Sequence, residues 1–256
     1  GRVDQTGHAH CANLPWRIDR ASLQARWHCP VRVINDFHAL ALACAALPAD
    51  SGCALIEGAA TDGDNGPVLV IGPGTGLGAA ILLRGHDGRA EVLPTEAGHI
   101  ALAAHDVRQA AVIAQLQQLR ADAHVPVEAA VSGPGLLQVY RALCRLDGVP
   151  ARLDSAEAVS QAAMAASDAQ AVQALELFCH WLGSFCGDLA LVSGAQRIWL
   201  AGGIIGHIAS FVQHSGFAAS LQAKGVMSAV LSQVGVRWIE HGALGLRGAA
   251  LAAPPH

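Results

Sequence analysis

An asparagine and an aspartate close the short apolar run Val31-Arg32-Val33-Ile34-Asn35-Asp36. At the end of a buried strand and ahead of a helix, two short polar side chains sit at the sheet edge where open α/β sheets hold their ligands. There Asp36 can act as a general base, taking a proton from a substrate hydroxyl. It can equally be a simple cap for the helix that follows. Further on, Gly72-Pro73-Gly74-Thr75-Gly76-Leu77-Gly78 comes directly after a second apolar run. Its glycines let backbone amides approach a phosphate, and Thr75 adds a hydroxyl donor. A strand rather than a helix follows, so a dinucleotide-binding loop fits poorly, and an ordinary glycine-rich hairpin is the competing reading. Glu96 and His99 flank Ala97-Gly98. Carboxylate and imidazole suit sugar hydroxyls, since both accept and histidine also donates. They would also suit a metal, but no cysteine lies nearby to complete a zinc site. Glu128 precedes Ser132-Gly133-Pro134-Gly135, where Ser132 can be no more than an N-cap. Trp199-Leu200-Ala201 runs into Gly202-Gly203, a turn that lets a flat ring lie against backbone.

The elements expected to position these residues alternate between strand and helix, which argues an α/β fold. Residues 31–36 read as a buried strand and 37–47 as an Ala/Leu helix stopped by Pro48. Residues 51–66 read as a connection rich in Gly, Asp and Ala, a candidate domain boundary. Strands follow at 67–72 and 79–83, then a hairpin turn at His86-Asp87-Gly88 and a returning strand at 90–93. Helical spacing recurs over 107–119, 135–146, 156–166 and 170–192, the last interrupted by Gly183 and Gly187. Strands at 198–201 and 235–239 and a closing helix at 243–252 complete the pattern.

The 256 residues carry 52% hydrophobic and 14% charged side chains, a balance opposite to that of disordered chains. The formal charge of −4 forces no basic surface, so nucleic acid is an unexpected partner. Thirteen histidines can add positive charge below about pH 6.5. Seven cysteines, an odd number with no CxxC pair, argue against a disulfide framework and for a reducing cytosol. No unbroken apolar run reaches the roughly 20 residues that span a bilayer, and residues 39–49 are too short and broken by Pro48. Gly1-Arg2-Val3-Asp4 opens no signal peptide, and the absence of a leading Met implies that residue 1 is not the natural start.

In their order, Ile34 to Phe37, Gly72 to Gly78, Leu93 to His99, Val131 to Leu136 and Leu200 to Ile204 resemble the bacterial glucokinase family. Asn13-Leu14-Pro15-Trp16 resembles the family segment just before its catalytic strand. The resemblance covers essentially the whole chain. It implies a two-lobed actin-like ATPase (ribonuclease H-like) fold, with residues 1–50 in a small lobe, 51–240 in a large lobe, and 241–256 a helix returning to the small lobe. It also implies transfer of a phosphoryl group from ATP, with Mg²⁺, to O6 of glucose. Asp36 matches the family's catalytic base. Asn35, Asp36, Glu96, His99 and Glu128 match its glucose-binding side chains, Glu128 in a loop one residue shorter here. Gly74, Thr75 and Gly76 match a phosphate loop, and Gly202 and Gly203 the adenosine motif. Ala97 stands where the family commonly has glycine. The family's N-terminal Asp-x-Gly-Gly-Thr phosphate loop has no counterpart, so the small lobe is expected to be incomplete and turnover impaired. A non-catalytic sugar-binding or regulatory protein on the same fold is the rival expectation. Family members are often dimers. The related family with a cysteine-rich zinc motif after its Gly-His is a poorer match, because Ile100-Ala101-Leu102-Ala103-Ala104 follows His99.

Overall fold

The computed structural model describes residues 2–3, 8–10, 17–48, 50–59, 66–85, 88–240 and 242–252. Asn13-Leu14-Pro15-Trp16 and the turn residues His86 and Asp87 lie outside them. The four apolar residues that open strand β5 (Val68–Pro73) leave no polar side for water, so the strand must be covered on both faces. It lies inside a six-stranded sheet that also holds β4 (Cys53–Ile56), β6 (Leu77–Arg84), β7 (Ala90–Thr95), β8 (Arg197–Ala201) and β9 (Gly235–Ile239). The order across the sheet is β4-β9-β8-β5-β6-β7; β5, β8 and β9 are parallel, and the other pairs are antiparallel. A separate small sheet joins β1 (Arg2–Val3), β2 (His8–His10) and β3 (Arg17–Asp19), and the exposed helix α1 (Arg20–Trp27) follows.

Alternation along the strands sorts the core into two layers. Leu69, Ile71, Ile198, Leu200 and Val236 face the larger layer. Helices α3 (Val107–Arg120), α4 (Gly133–Leu146), α5 (Ala156–Met164), α6 (Ala169–Ser193), α7 (Gly203–His214) and α8 (Phe217–Gln222) contribute to it. Val68, Val70, Ala80, Leu82, Trp199 and Ala201 face the other way, where α2 (Asp36–Ala45) brings Leu40, Ala41 and Cys44. The helix expected in the small lobe thus packs on the sheet expected in the large one. After the short helix α9 (Ser228–Leu231), the last helix, α10 (Leu244–Leu251), lies on α2, with Gly248 against the Ala39 carbonyl.

Several expectations need correction. Residues 31–35 form no strand, and Asp36 already belongs to α2. Residues 51–66 contain the edge strand β4, held by β9 through a register shift between Ala54 and Ile56. Gly183 and Gly187 do not interrupt α6, a single helix of 25 residues. A Cβ there would lie 2.2 Å from the Phe217 carbonyl oxygen and 2.4 Å from that of Leu221, so both glycines admit the backbone of α8. Helix α6 is long and apolar enough to cross a bilayer, yet Leu175, Phe178, Trp181, Leu182 and Phe185 are buried in the main core. Each such side chain contributes on the order of 1.5–3 kcal/mol by burial.

Candidate active site

The chain enters α2 through Asn35, whose extended backbone (φ −64°, ψ 146°) suits a cap. Its side-chain oxygen accepts from the backbone N–H groups of Phe37 (2.8 Å) and His38 (3.1 Å). The cap is therefore Asn35 and not Asp36. Asp36, one step inside the helix, is exposed and accepts from the Phe37 N–H at 3.0 Å. A carboxylate in the first turn is favoured by the helix dipole.

Asn35 and Glu96 line one cleft of about 370 Å³ with Arg32, His38 and Thr95, and Asp36 occupies the position between two of these residues without lining it. The size falls at the low end of small-molecule sites, roughly 300–1,000 Å³. Thr95 is fixed by its hydroxyl, which donates to the Ala79 carbonyl at 2.8 Å. Burial, and secondarily the Arg32 guanidinium, lower the pKa of His38, which favours its neutral form. Arg32 also donates to the Ala252 carbonyl at 2.9 Å, tying the entry of α2 to the end of α10. Sequence reasoning missed Arg32 and His38. The available signal was position, since His38 shares the first helical turn with Asn35 and Asp36.

The run Gly72–Gly78 is a tight hairpin between β5 and β6, closed by the Gly74 N–H donating to the Gly76 carbonyl at 2.7 Å. Gly74 and Thr75 are exposed at its tip. The Phe37 ring lies over the cross-strand pair Gly72 and Gly78; a Cβ on Gly78 would fall 2.0 Å from the ring. Beside the hairpin, Gly202 has φ 129°, and a Cβ there would meet the Pro73 carbonyl oxygen at 2.3 Å. Only glycine suits that position. Helix α7 begins next, with no side-chain cap and open space at Gly203. Uncapped first-turn amides beside an exposed glycine hairpin suit anionic phosphates. Among the described residues no group of three or more His, Cys, Asp or Glu could hold a metal.

Glu96 and His99 are both exposed at the ends of one 3-10 turn, where the His99 N–H donates to the Glu96 carbonyl at 3.0 Å. This turn is joined to the 126–129 segment by the Val127 N–H donating to the Ile100 carbonyl at 2.9 Å. Glu128 does not line the cleft. Its carboxylate turns to the hairpin and accepts from the Leu77 N–H at 2.7 Å. Ser132 is the cap expected of it, accepting from the Gly135 N–H at 3.0 Å while donating to the Glu128 carbonyl at 2.8 Å.

The family model described as Glucokinase matches residues 1–256. A "Glucokinase-like protein" of Xylella fastidiosa (strain 9a5c) is 43% identical over 240 residues, covering 93% of this chain and 70% of the relative. The glucokinase of Zymomonas mobilis is 38% identical over 244 residues, covering 94% and 74%. The crystal structure of a glucokinase from an Antarctic psychrotroph superposes with a TM-score of 0.83 at 34% identity, covering 98% of this chain and 76% of that one. A ROK family glucokinase from Streptomyces griseus shares the fold alone, with a TM-score of 0.57 at 20% identity, covering 94% and 74%. With the family model matching the whole chain and relatives above 30% identity covered to two thirds or more, the chain belongs to the glucokinase family of sugar kinases and has the actin-like ATPase fold.

Proposed function

We propose that the cleft at Asn35 and Glu96 takes glucose and that the hairpin Gly74–Gly76 with Gly202 and Gly203 takes the phosphates and adenosine of ATP. The reaction is transfer of the γ-phosphoryl group to O6, giving glucose 6-phosphate and ADP. Asp36 accepts the O6 proton as the O6–P bond forms and the bond to the ADP oxygen breaks. Asn35 and Glu96 in the cleft hold the sugar hydroxyls, and the family pattern adds His99 and Glu128, which stand outside the cleft lining, so that O6 is kept aligned with the phosphorus. Mg²⁺ carried on the ATP phosphates would offset the charge of the transferring group.

The observation that carries this reading is the Phe37 ring seated over Gly72 and Gly78. It fixes the Asn35-Asp36 turn to the hairpin, so the base and the phosphate loop belong to one packed unit. The reading is tested by calorimetric titration with glucose and by a coupled assay with glucose, ATP and Mg²⁺. Asn35→Ala and Glu96→Gln are expected to weaken glucose binding at least tenfold. Asp36→Asn keeps the shape, loses the base, and is expected to retain glucose while turnover falls by 10² or more. Turnover within a few-fold of wild type in Asp36→Asn removes Asp36 from the role of base. Glucose affinity unchanged in both cleft variants removes the sugar site.

A further inference from the structure

The peptide of Leu77, at the exit of the hairpin, is held from two sides. Its N–H donates to Glu128 Oε2 at 2.7 Å. Its carbonyl oxygen lies so close to Gly98 that a Cβ there would approach to 2.2 Å. Gly98 is the middle of the turn that carries Glu96 and His99. The Glu128 carboxylate also covers Gly76, where a Cβ would fall 2.3 Å from Oε2. On the entry side of the hairpin, the Gly133 N–H donates to the Gly74 carbonyl at 2.8 Å. Segment 128–133 therefore grips both legs of the turn, and the Ser132 hydroxyl braces it by donating to the Glu128 carbonyl.

From this arrangement we infer that Glu128 is a positioning residue for the nucleotide hairpin and, through Leu77, the link by which sugar and nucleotide raise each other's affinity. The inference rests on the reading of the site given above. Glu128 lies outside the cleft lining, with Oε2 committed to Leu77; on the reading given above its Oε1 is the atom offered to a sugar hydroxyl. A sugar bound to Glu96, His99 and Oε1 fixes both groups that flank the Leu77 peptide, and hence the amides at Gly74–Gly76. A nucleotide then binds a hairpin already ordered, and by reciprocity it favours the sugar by the same factor. A residue that only touched sugar would have no effect on nucleotide binding in the absence of sugar.

The test uses the whole chain with three readouts: amide exchange at Leu77 by NMR, affinity for AMP-PNP with Mg²⁺ in the absence of glucose, and the same affinity with glucose saturating. Glu128→Ala is expected to speed Leu77 exchange and to weaken AMP-PNP binding without glucose on the order of tenfold, the effect of losing one charge-assisted hydrogen bond. It is also expected to abolish any gain in AMP-PNP affinity that glucose gives the wild type. Glu128→Gln retains an acceptor for the Leu77 N–H and should keep Leu77 protection and sugar-free AMP-PNP affinity within a few-fold of wild type. If Glu128→Ala unfolds the protein, Glu128→Asp, which draws the carboxylate back from the Leu77 N–H by one methylene, carries the same expectations. AMP-PNP affinity without glucose that is equal in wild type and Glu128→Ala overturns the inference, as does a glucose effect that survives the substitution. Glucose titration of the wild type is read separately. A protein that binds AMP-PNP through the Glu128 clamp but takes no glucose refutes the sugar site and leaves the hairpin role standing.

Discussion

Replacing Gly78 by alanine tests whether the Asn35-Asp36 turn is fastened to the hairpin through a single ring. The added Cβ would stand 2.0, 2.1 and 2.6 Å from Cε2, Cδ2 and Cζ of Phe37. Ordinary carbon–carbon contact needs about 3.5–4.0 Å. The ring must therefore retreat by roughly 1.5 Å. Retreat moves Phe37 off the sheet, and Asp36 with it. Overpacking of this kind costs about 1–3 kcal/mol. For a chain of this size, 2 kcal/mol is a fall of roughly 4–8 °C in Tm. Phe37→Leu removes the ring edge that the new methyl meets. In that background Gly78→Ala should cost less, with a coupling of about 1 kcal/mol or more in a double-mutant cycle. Urea midpoints of the four proteins measure it. Costs that add within about 0.5 kcal/mol, with Phe37 present or absent, would show that the ring is not the fastener.

Other expectations follow from the packing and the charges. A Cβ on Gly248 would lie 1.6 Å from the Ala39 carbonyl oxygen, with backbone on both sides; Gly248→Ala should lower stability by about 3 kcal/mol and raise amide exchange across residues 36–45, read by hydrogen exchange. The hydrogen bond from Arg108 lowers the pKa of Asp147 below the usual carboxylate value. Its contribution is then present above about pH 4 and is lost as pH falls through the depressed value. Both side chains are about one-third exposed, so the pair is worth at most about 1 kcal/mol; urea midpoints of wild type and Asp147→Asn should differ above about pH 5 and converge as the pH falls through the depressed value of Asp147. Cys29 and Cys53 are exposed, whereas burial pushes the Cys44 and Cys179 thiols up to about 12. A thiol reagent at pH 8 should label Cys29 and Cys53 in the native protein and reach Cys44 and Cys179 only on unfolding, as peptide mapping would show.

The central sheet was legible because its inner strands are apolar on both faces: β5 and β8 fall within a residue or two of their expected limits, and β9 matches them. What failed depended on partners. Val31 to Ile34 has the composition of a strand, but a strand needs a ladder, and none is paired with it among the described residues. Cys53–Ile56 has little strand character of its own and exists because β9 offers it an edge. Gly183 and Gly187 looked like breaks because sequence shows a missing side chain and not the carbonyl that fills its place. The candidate site was legible as a set of residue types. Their directions were not: nothing in the string Val127-Glu128-Ala129 says that the carboxylate turns toward Leu77, a choice made by the backbone amide it finds there.

Both margins of the sheet are closed to self-propagation. Strand β4 is four residues long and irregular in register, and Gln213 of α7 donates to the Ala54 carbonyl at 2.9 Å, occupying an acceptor that a neighbouring chain would need. At the far margin β7 carries Pro94, which has no N–H to offer, and the charge of exposed Glu91. Short length, an interrupted ladder, proline and charge are the devices that keep a sheet from growing by strand addition. For a chain with 52% hydrophobic residues this matters in a crowded solution: extension of the six-stranded sheet into a fibre is disfavoured at both of its margins.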